Sequence, residues 1–131
     1  MKYYIGIDLG GTNIVAGVVN ENYEIVAKAS CKTNCPRPAD EIMDDMAKMA
    51  NQAAALAGVS LADIEWVGAG SPGVADTETG IILFANNLGF YDLPLRDGLK
   101  QRLGKTVFIG NDANAAAFGE FMAGAAKGSN N

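Results

Sequence analysis

The alternation of apolar and polar positions changes period along the chain, and each change predicts an element. Residues 3–8 (Tyr-Tyr-Ile-Gly-Ile-Asp) are strand formers that run into Gly10-Gly11. Residues 14–19 (Ile-Val-Ala-Gly-Val-Val) predict a second strand, and Asn20-Glu21-Asn22 a turn. Residues 23–30 predict a third strand, with Tyr23, Ile25 and Ala27 alternating against Glu24 and Lys28. Two short connections in succession predict an antiparallel meander.

After Pro36 and Pro38 the period lengthens to that of a helix. Asp40 and Glu41 open a segment running to about Ala57, in which Ile42, Met46, Met49, Ala53 and Leu56 form one apolar stripe. Asp44, Asp45, Lys48 and Asn51 face away, and Gly58 stands where a left-handed C-terminal residue is wanted. Ser60 and Asp63 suit a short capped turn. Residues 64–69 predict a strand leading into Gly70-Ser71-Pro72-Gly73, and residues 74–83 a hairpin around Asp76–Gly80. Pro94 opens a short helix with Leu95, Leu99 and Leu103 in line, closed by Gly104. Thr106–Ile109 predict a buried strand, and Ala115, Phe118, Met122 and Ala125 a final helix. The predicted order is βββαβαβα, an α/β layer with an antiparallel start and parallel additions.

Composition narrows the chemistry. The 131 residues fit one domain, and 49% hydrophobic content suffices for a core. Ten basic and fifteen acidic side chains leave a net charge of −5, which argues against nucleic-acid binding. There is no histidine, so Ser-His-Asp and Cys-His catalysis and His-containing metal sites are excluded from this segment. No apolar run approaches the roughly 18 residues of a membrane span, and no signal peptide precedes Tyr3. The expected location is the cytoplasm. Cys31 and Cys35 form one Cys-x₃-Cys pair, read as reduced thiols rather than a metal site.

Four short motifs carry candidate chemistry. Asp8-Leu-Gly-Gly-Thr-Asn13 joins a strand end, a glycine pair and a hydroxyl. Glycines let backbone N–H groups approach phosphate oxygens, and an Asp at a strand end can hold Mg²⁺ through water. The same residues could be only a hairpin turn. They match neither the Walker loop nor the Rossmann fingerprint. In Gly110-Asn111-Asp112-Ala113-Asn114 a carboxylate follows a strand and starts a helix. An ionised Asp there can accept a proton from an attacking hydroxyl, and Asn111 can bond neighbouring hydroxyls; an N-cap is the alternative. Ser71-Pro72-Gly73 and Asn87 also follow strands. In a parallel arrangement, strands ending at Asp8, Ser71 and Asp112 would present these residues along one sheet edge, where α/β proteins bind ligands.

In this order and spacing, Asp8-Leu-Gly-Gly-Thr-Asn13, Ser71-Pro-Gly73, Asn87-Leu-Gly89 and Asn111-Asp-Ala-Asn-Ala-Ala-Ala117 resemble the ROK family of repressors, unknown reading frames and sugar kinases. Over essentially the whole chain the similarity is greatest to its glucokinase-like members. The resemblance implies an actin-like, ribonuclease-H-like domain, one half of a two-domain hexokinase-type fold with ATP and sugar in the cleft. It implies ATP-dependent phosphorylation of a hexose, glucose first, at its 6-OH. Asp112 would be the general base, with Asn111, Asn87, Ser71 and Gly73 on the sugar. Asp8, Gly10, Gly11, Thr12 and Asn13 would form the first phosphate loop, with Asp8 reaching Mg²⁺ through water. Asn13 stands where relatives often carry Lys.

Family members are about twice as long, so residues 1–131 correspond to the N-terminal domain, and the chain alone is expected to be inactive. The absent half would supply a second phosphate loop, the adenosine pocket, further sugar ligands and commonly a zinc site; no zinc is expected here. Relatives of full length imply a homodimer or larger homo-oligomer. Other readings are a hexose or N-acetylhexosamine kinase of different specificity, a sugar-sensing repressor, and an actin-like or chaperone-like ATPase. A repressor would need a winged helix before the first strand, but the strand starts at Tyr3.

Overall fold

A computed structural model describes residues 2–22 and 24–111. Tyr23, Asp112, Asn114 and the expected final helix lie outside the described residues.

The first three strands form the predicted meander: β1 (Tyr3–Leu9), β2 (Asn13–Asn20) and β3 (Ile25–Lys32). Helix α1 (Ala39–Ala57) then crosses to β4 (Ile64–Ser71), which pairs parallel with β1. The predicted hairpin is β5 (Val74–Asp76) with β6 (Ile81–Ala85), followed by β7 (Phe90–Leu93), α2 (Leu95–Leu103) and β8 (Val107–Asn111). The main sheet has the order β3-β2-β1-β4-β8, antiparallel on one side of β1 and parallel on the other. The mixed sheet expected from the sequence is therefore present. A second, three-stranded antiparallel sheet, β5-β6-β7, rises between β4 and α2. Strand β7 is an addition to the predicted order: four residues with little alternation carry no strand signal of their own, and pairing with β6 creates the strand.

Ile5, Ile7 and Leu9 of β1, Ile14, Ala16 and Val18 of β2, and Val67 and Ala69 of β4 are fully buried. Each large side chain among them contributes about 1.5–3 kcal/mol of burial. The face of α1 that covers them is wider than the predicted stripe. Met43, Ala47, Ala50 and Ala54 are buried beside Ile42, Met46, Met49 and Ala53. At about 100° per residue, this shifts the centre of the buried face, and Leu56 falls roughly 100° from it. Leu56 is accordingly 69% exposed, a correction to its place in the stripe.

Strand β3 also departs from its expected alternation. Ile25 and Val26 are both exposed, whereas Ala27, Ala29 and Cys31 point inward. The cause is position: β3 is the sheet edge, and only its later residues turn toward the core.

Helix ends follow the sequence signals. Gly58 closes α1 at φ 75°, and Gly104 closes α2 at φ 68°. Ser60 and Asp63 form a reciprocal capping box before β4. Arg102 of α2 ties the two helices together, donating from Nε to Asp44 Oδ1 at 2.7 Å and lying 3.4 Å from Asp40.

Candidate functional site

Register decides which residues meet at the sheet edge. Asp8 of β1 pairs with Gly70 of β4, and Gly70 pairs with Gly110 of β8. One residue further, Ser71 pairs with Asn111. The carboxyl ends of three parallel strands are thus level to within one residue, with neighbouring strands about 4.8 Å apart. Asp8, Gly70 and Gly110 make one row across the sheet. The two glycines carry no side chains, and a Cβ on Gly70 would meet nothing within 4 Å. Asp8 itself is half-buried in this row.

The loop Gly10-Gly11-Thr12 joins β1 to β2 immediately above this row. The Gly10 N–H donates to the Asn13 carbonyl at 2.9 Å, closing the turn. A Cβ on Gly10 would approach that same carbonyl to 3.1 Å, so the first glycine serves the turn itself. A Cβ on Gly11 would meet nothing within 4 Å. No packing within the described chain requires glycine at that second position. Gly11, Thr12 and Asn13 are all exposed.

The loop does not stand alone. Thr33, Cys35 and Arg37, between β3 and α1, reach it or its supports. The sequence reading missed this cluster, because no spacing links residues that are 23 and 24 positions apart. Cys35 donates its thiol to the Gly11 carbonyl at 3.1 Å. The Cys31 thiol is raised above its ordinary pKa by burial first and by the Asp45 carboxylate second, with Arg37 and Lys48 opposing. Among the described residues, no three His, Cys, Asp or Glu side chains are grouped to hold a metal.

On the other side, the turn after β4 meets the second sheet. Ser71 is fully buried and bonds the Pro72 carbonyl at 3.1 Å. Gly73 has φ 90° and packs directly on β6. Asn87 is exposed in a single 3₁₀ turn, Asn86–Leu88, that Gly89 ends at φ 70°. Leu88 anchors this turn in the core, and the Tyr91 hydroxyl donates to Asn86 Oδ1 at 3.2 Å. Pro72, Gly73, Phe84, Ala85, Asn86 and Asn87 line an open hollow of about 160 Å³. Complete small-molecule sites run to about 300–1,000 Å³, so these residues form one wall. The structure thus brings Gly73 and Asn87 to one hollow, leaves Ser71 buried beneath the turn rather than lining it, and sets Asp8 and Gly10–Asn13 at the end of a neighbouring strand. The Asn111 backbone ends β8 beside Ser71. Asp112 follows it outside the described residues.

Known proteins resemble this chain in sequence and in fold. A glucokinase of Halalkalibacterium halodurans is 35% identical over 130 residues, covering 99% of this chain and 39% of its own length. An N-acetyl-D-glucosamine kinase of Vibrio cholerae is 36% identical over 122 residues, covering 89% of this chain and 37% of its own. A ROK family glucokinase from Streptomyces griseus, solved in complex with glucose and AMPPNP, superposes with a TM-score of 0.79 at 39% identity, covering 93% of this chain and 37% of its own. The chain spans less than two fifths of each relative. The ROK family pattern itself matches residues 4–131, from the first strand through the Asn111-Asp112 motif, and the chain belongs to the ROK family.

Proposed function

We propose that this chain is the N-terminal half of an ATP-dependent hexose kinase, with glucose as the first candidate substrate. The observation that carries this reading is the level ending of β1, β4 and β8. It brings a glycine loop, a serine turn and the end of β8 at Asn111 to one edge of one sheet. The glucokinase complex with glucose and AMPPNP supports it from outside the chain.

In this reading the Ser71–Gly73 turn lines the sugar pocket, and the sugar hydroxyls bond Asn87 and Asn111, whose amides can both donate and accept. Asp112 accepts the 6-OH proton while that oxygen attacks the γ-phosphorus in line. The new O–P bond forms as the bond to the β-phosphate oxygen breaks, giving sugar 6-phosphate and ADP. The N–H groups of the Gly10–Asn13 loop meet the phosphates. Asp8 suits a divalent cation held mainly by water and nucleotide oxygens, because one carboxylate is what this strand end provides; such an ion would offset phosphate charge. A second domain closes the cleft, supplies the adenosine contacts and excludes water from the transfer.

The deciding experiment is a coupled ADP-release assay on the two-domain protein against glucose, mannose, fructose and N-acetylglucosamine. ADP release that requires glucose, and yields its 6-phosphate, supports the reading. Release preferring N-acetylglucosamine moves the substrate within the same mechanism. ADP release indifferent to every sugar overturns the kinase assignment in favour of an ATPase.

A further inference from the structure

Thr33 is a polar side chain with 0% exposure, in a segment that belongs to neither sheet nor helix. Its hydroxyl donates to the Gly10 carbonyl at 2.7 Å, and its N–H donates to the Thr12 carbonyl at 2.9 Å. Cys35 takes the carbonyl between them, that of Gly11. Three successive carbonyls of the loop are therefore bound from one side by two residues of one strap.

The planar trans peptide turns this into a statement about the opposite side. In each peptide unit the C=O and the following N–H point in opposite directions. Binding the Gly10 and Gly11 carbonyls to the strap directs the Gly11 and Thr12 N–H groups away from it. Neither N–H meets an acceptor among the described residues. Two adjacent amides facing outward form a concavity suited to an anion, while carbonyls that would repel it are turned inward and satisfied.

The strap is itself held. Arg37 donates from Nε to the Thr33 carbonyl at 2.8 Å and pairs with Asp45 of α1 at 2.5 Å, with Glu41 3.9 Å away. A continuous set of bonds thus runs from the first turns of α1 through Arg37 and Thr33 to the loop.

We propose that Thr33 is a positioning residue for nucleotide phosphate binding, setting the orientation of the Gly10–Thr12 peptides through its hydroxyl and its N–H. This inference rests on the reading of that loop as the phosphate site. It assigns no contact between Thr33 and the nucleotide.

The test compares Thr33→Val, which removes the hydroxyl at nearly constant volume, with Thr33→Ser, which keeps it. AMPPNP and glucose dissociation constants are measured on the two-domain protein, together with thermal midpoints and steady-state kinetics. Freeing the Gly10 peptide should weaken AMPPNP about tenfold in Thr33→Val. Glucose binding should stay within about twofold, and Thr33→Ser should lie within about threefold of the parent. Should Thr33→Val fail to fold, Thr33→Ala against Thr33→Ser isolates the hydroxyl, since both lack the methyl. AMPPNP affinity unchanged in the folded Val or Ala variant overturns the inference, as does an equal loss for glucose. The kinase reading fails separately: a parent protein that binds AMPPNP and responds to Thr33→Val, yet phosphorylates no hexose, retains the strap and loses the kinase.

Discussion

Gly73 lies so close to Phe84 that a Cβ at position 73 would stand 2.1 Å from the Phe84 carbonyl oxygen and 2.8 Å from the Ala85 Cα. The contact is between backbones, so no side-chain rotation can relieve it. It joins the turn after β4 to the second sheet and shapes the hollow beside Asn87. Gly73→Ala should cost at least about 2 kcal/mol, from strain at positive φ together with the forced displacement of β6. Urea unfolding of the variant checks this. A midpoint equal to the parent's would show that β6 is not held against the turn as described.

Gly11 makes the opposite case. Its substitution meets no atom within 4 Å and requires no unusual φ. Gly11→Ala should leave the unfolding midpoint within about 0.5 kcal/mol of the parent, the usual range for surface changes. On the phosphate-loop reading, the added methyl instead obstructs the ligand, and KM for ATP should rise by about tenfold or more. Unchanged ATP kinetics would remove Gly11 from the site.

On the general-base reading, Asp112→Asn keeps size and hydrogen bonding but loses the acceptor of the proton. In the two-domain protein kcat should fall by roughly 10²–10⁴, the span of general-base catalysis. The glucose dissociation constant should change by no more than a few-fold, because the amide still bonds a hydroxyl. Turnover near the parent value would assign the proton to another group.

Cys31 carries a pH signature. Its folded thiol pKa is raised above the ordinary 9.0, chiefly by burial. On raising the pH the unfolded chain loses this proton first. Stability from the protonated thiol is therefore fully present below the ordinary value and declines as pH climbs through the folded one. Urea midpoints from pH 7.5 to 10.5 should fall more steeply in the parent than in Cys31→Ala. Parallel slopes would show a thiol indifferent to its surroundings. Cys31 should also react with iodoacetamide more slowly than a free thiol at pH 8, since the thiolate is the nucleophile.

Local chemistry made much of the fold legible. The β1–β2–β3 meander followed from short turns, α1 from its helical period, and the helix ends from Gly58 and Gly104. These depend on nearest neighbours along the chain, where side-chain spacing and glycine's access to positive φ act directly. Leu56 and Ile25 were misplaced because their burial depends on where a sheet ends and how far a helix face rotates. Strand β7 was missed because a four-residue edge segment exists only through its partner, β6.

The candidate site divides in the same way. Asp8, Gly10, Gly11, Ser71, Gly73, Asn87 and Asn111 could be picked out from the sequence, because each stands at or just after the end of a strand and is a residue type suited to phosphate or hydroxyl. What the sequence determined by itself was this set of residues, the family they belong to and the acidic, histidine-free chemistry available to them. Tertiary structure alone decided that β1, β4 and β8 end level, that Gly73 abuts Phe84, and that Thr33 and Cys35 bind the loop carbonyls. Those contacts join residues far apart in the chain, whose approach is set by strand register and the packing of α1, and no local pattern encodes either.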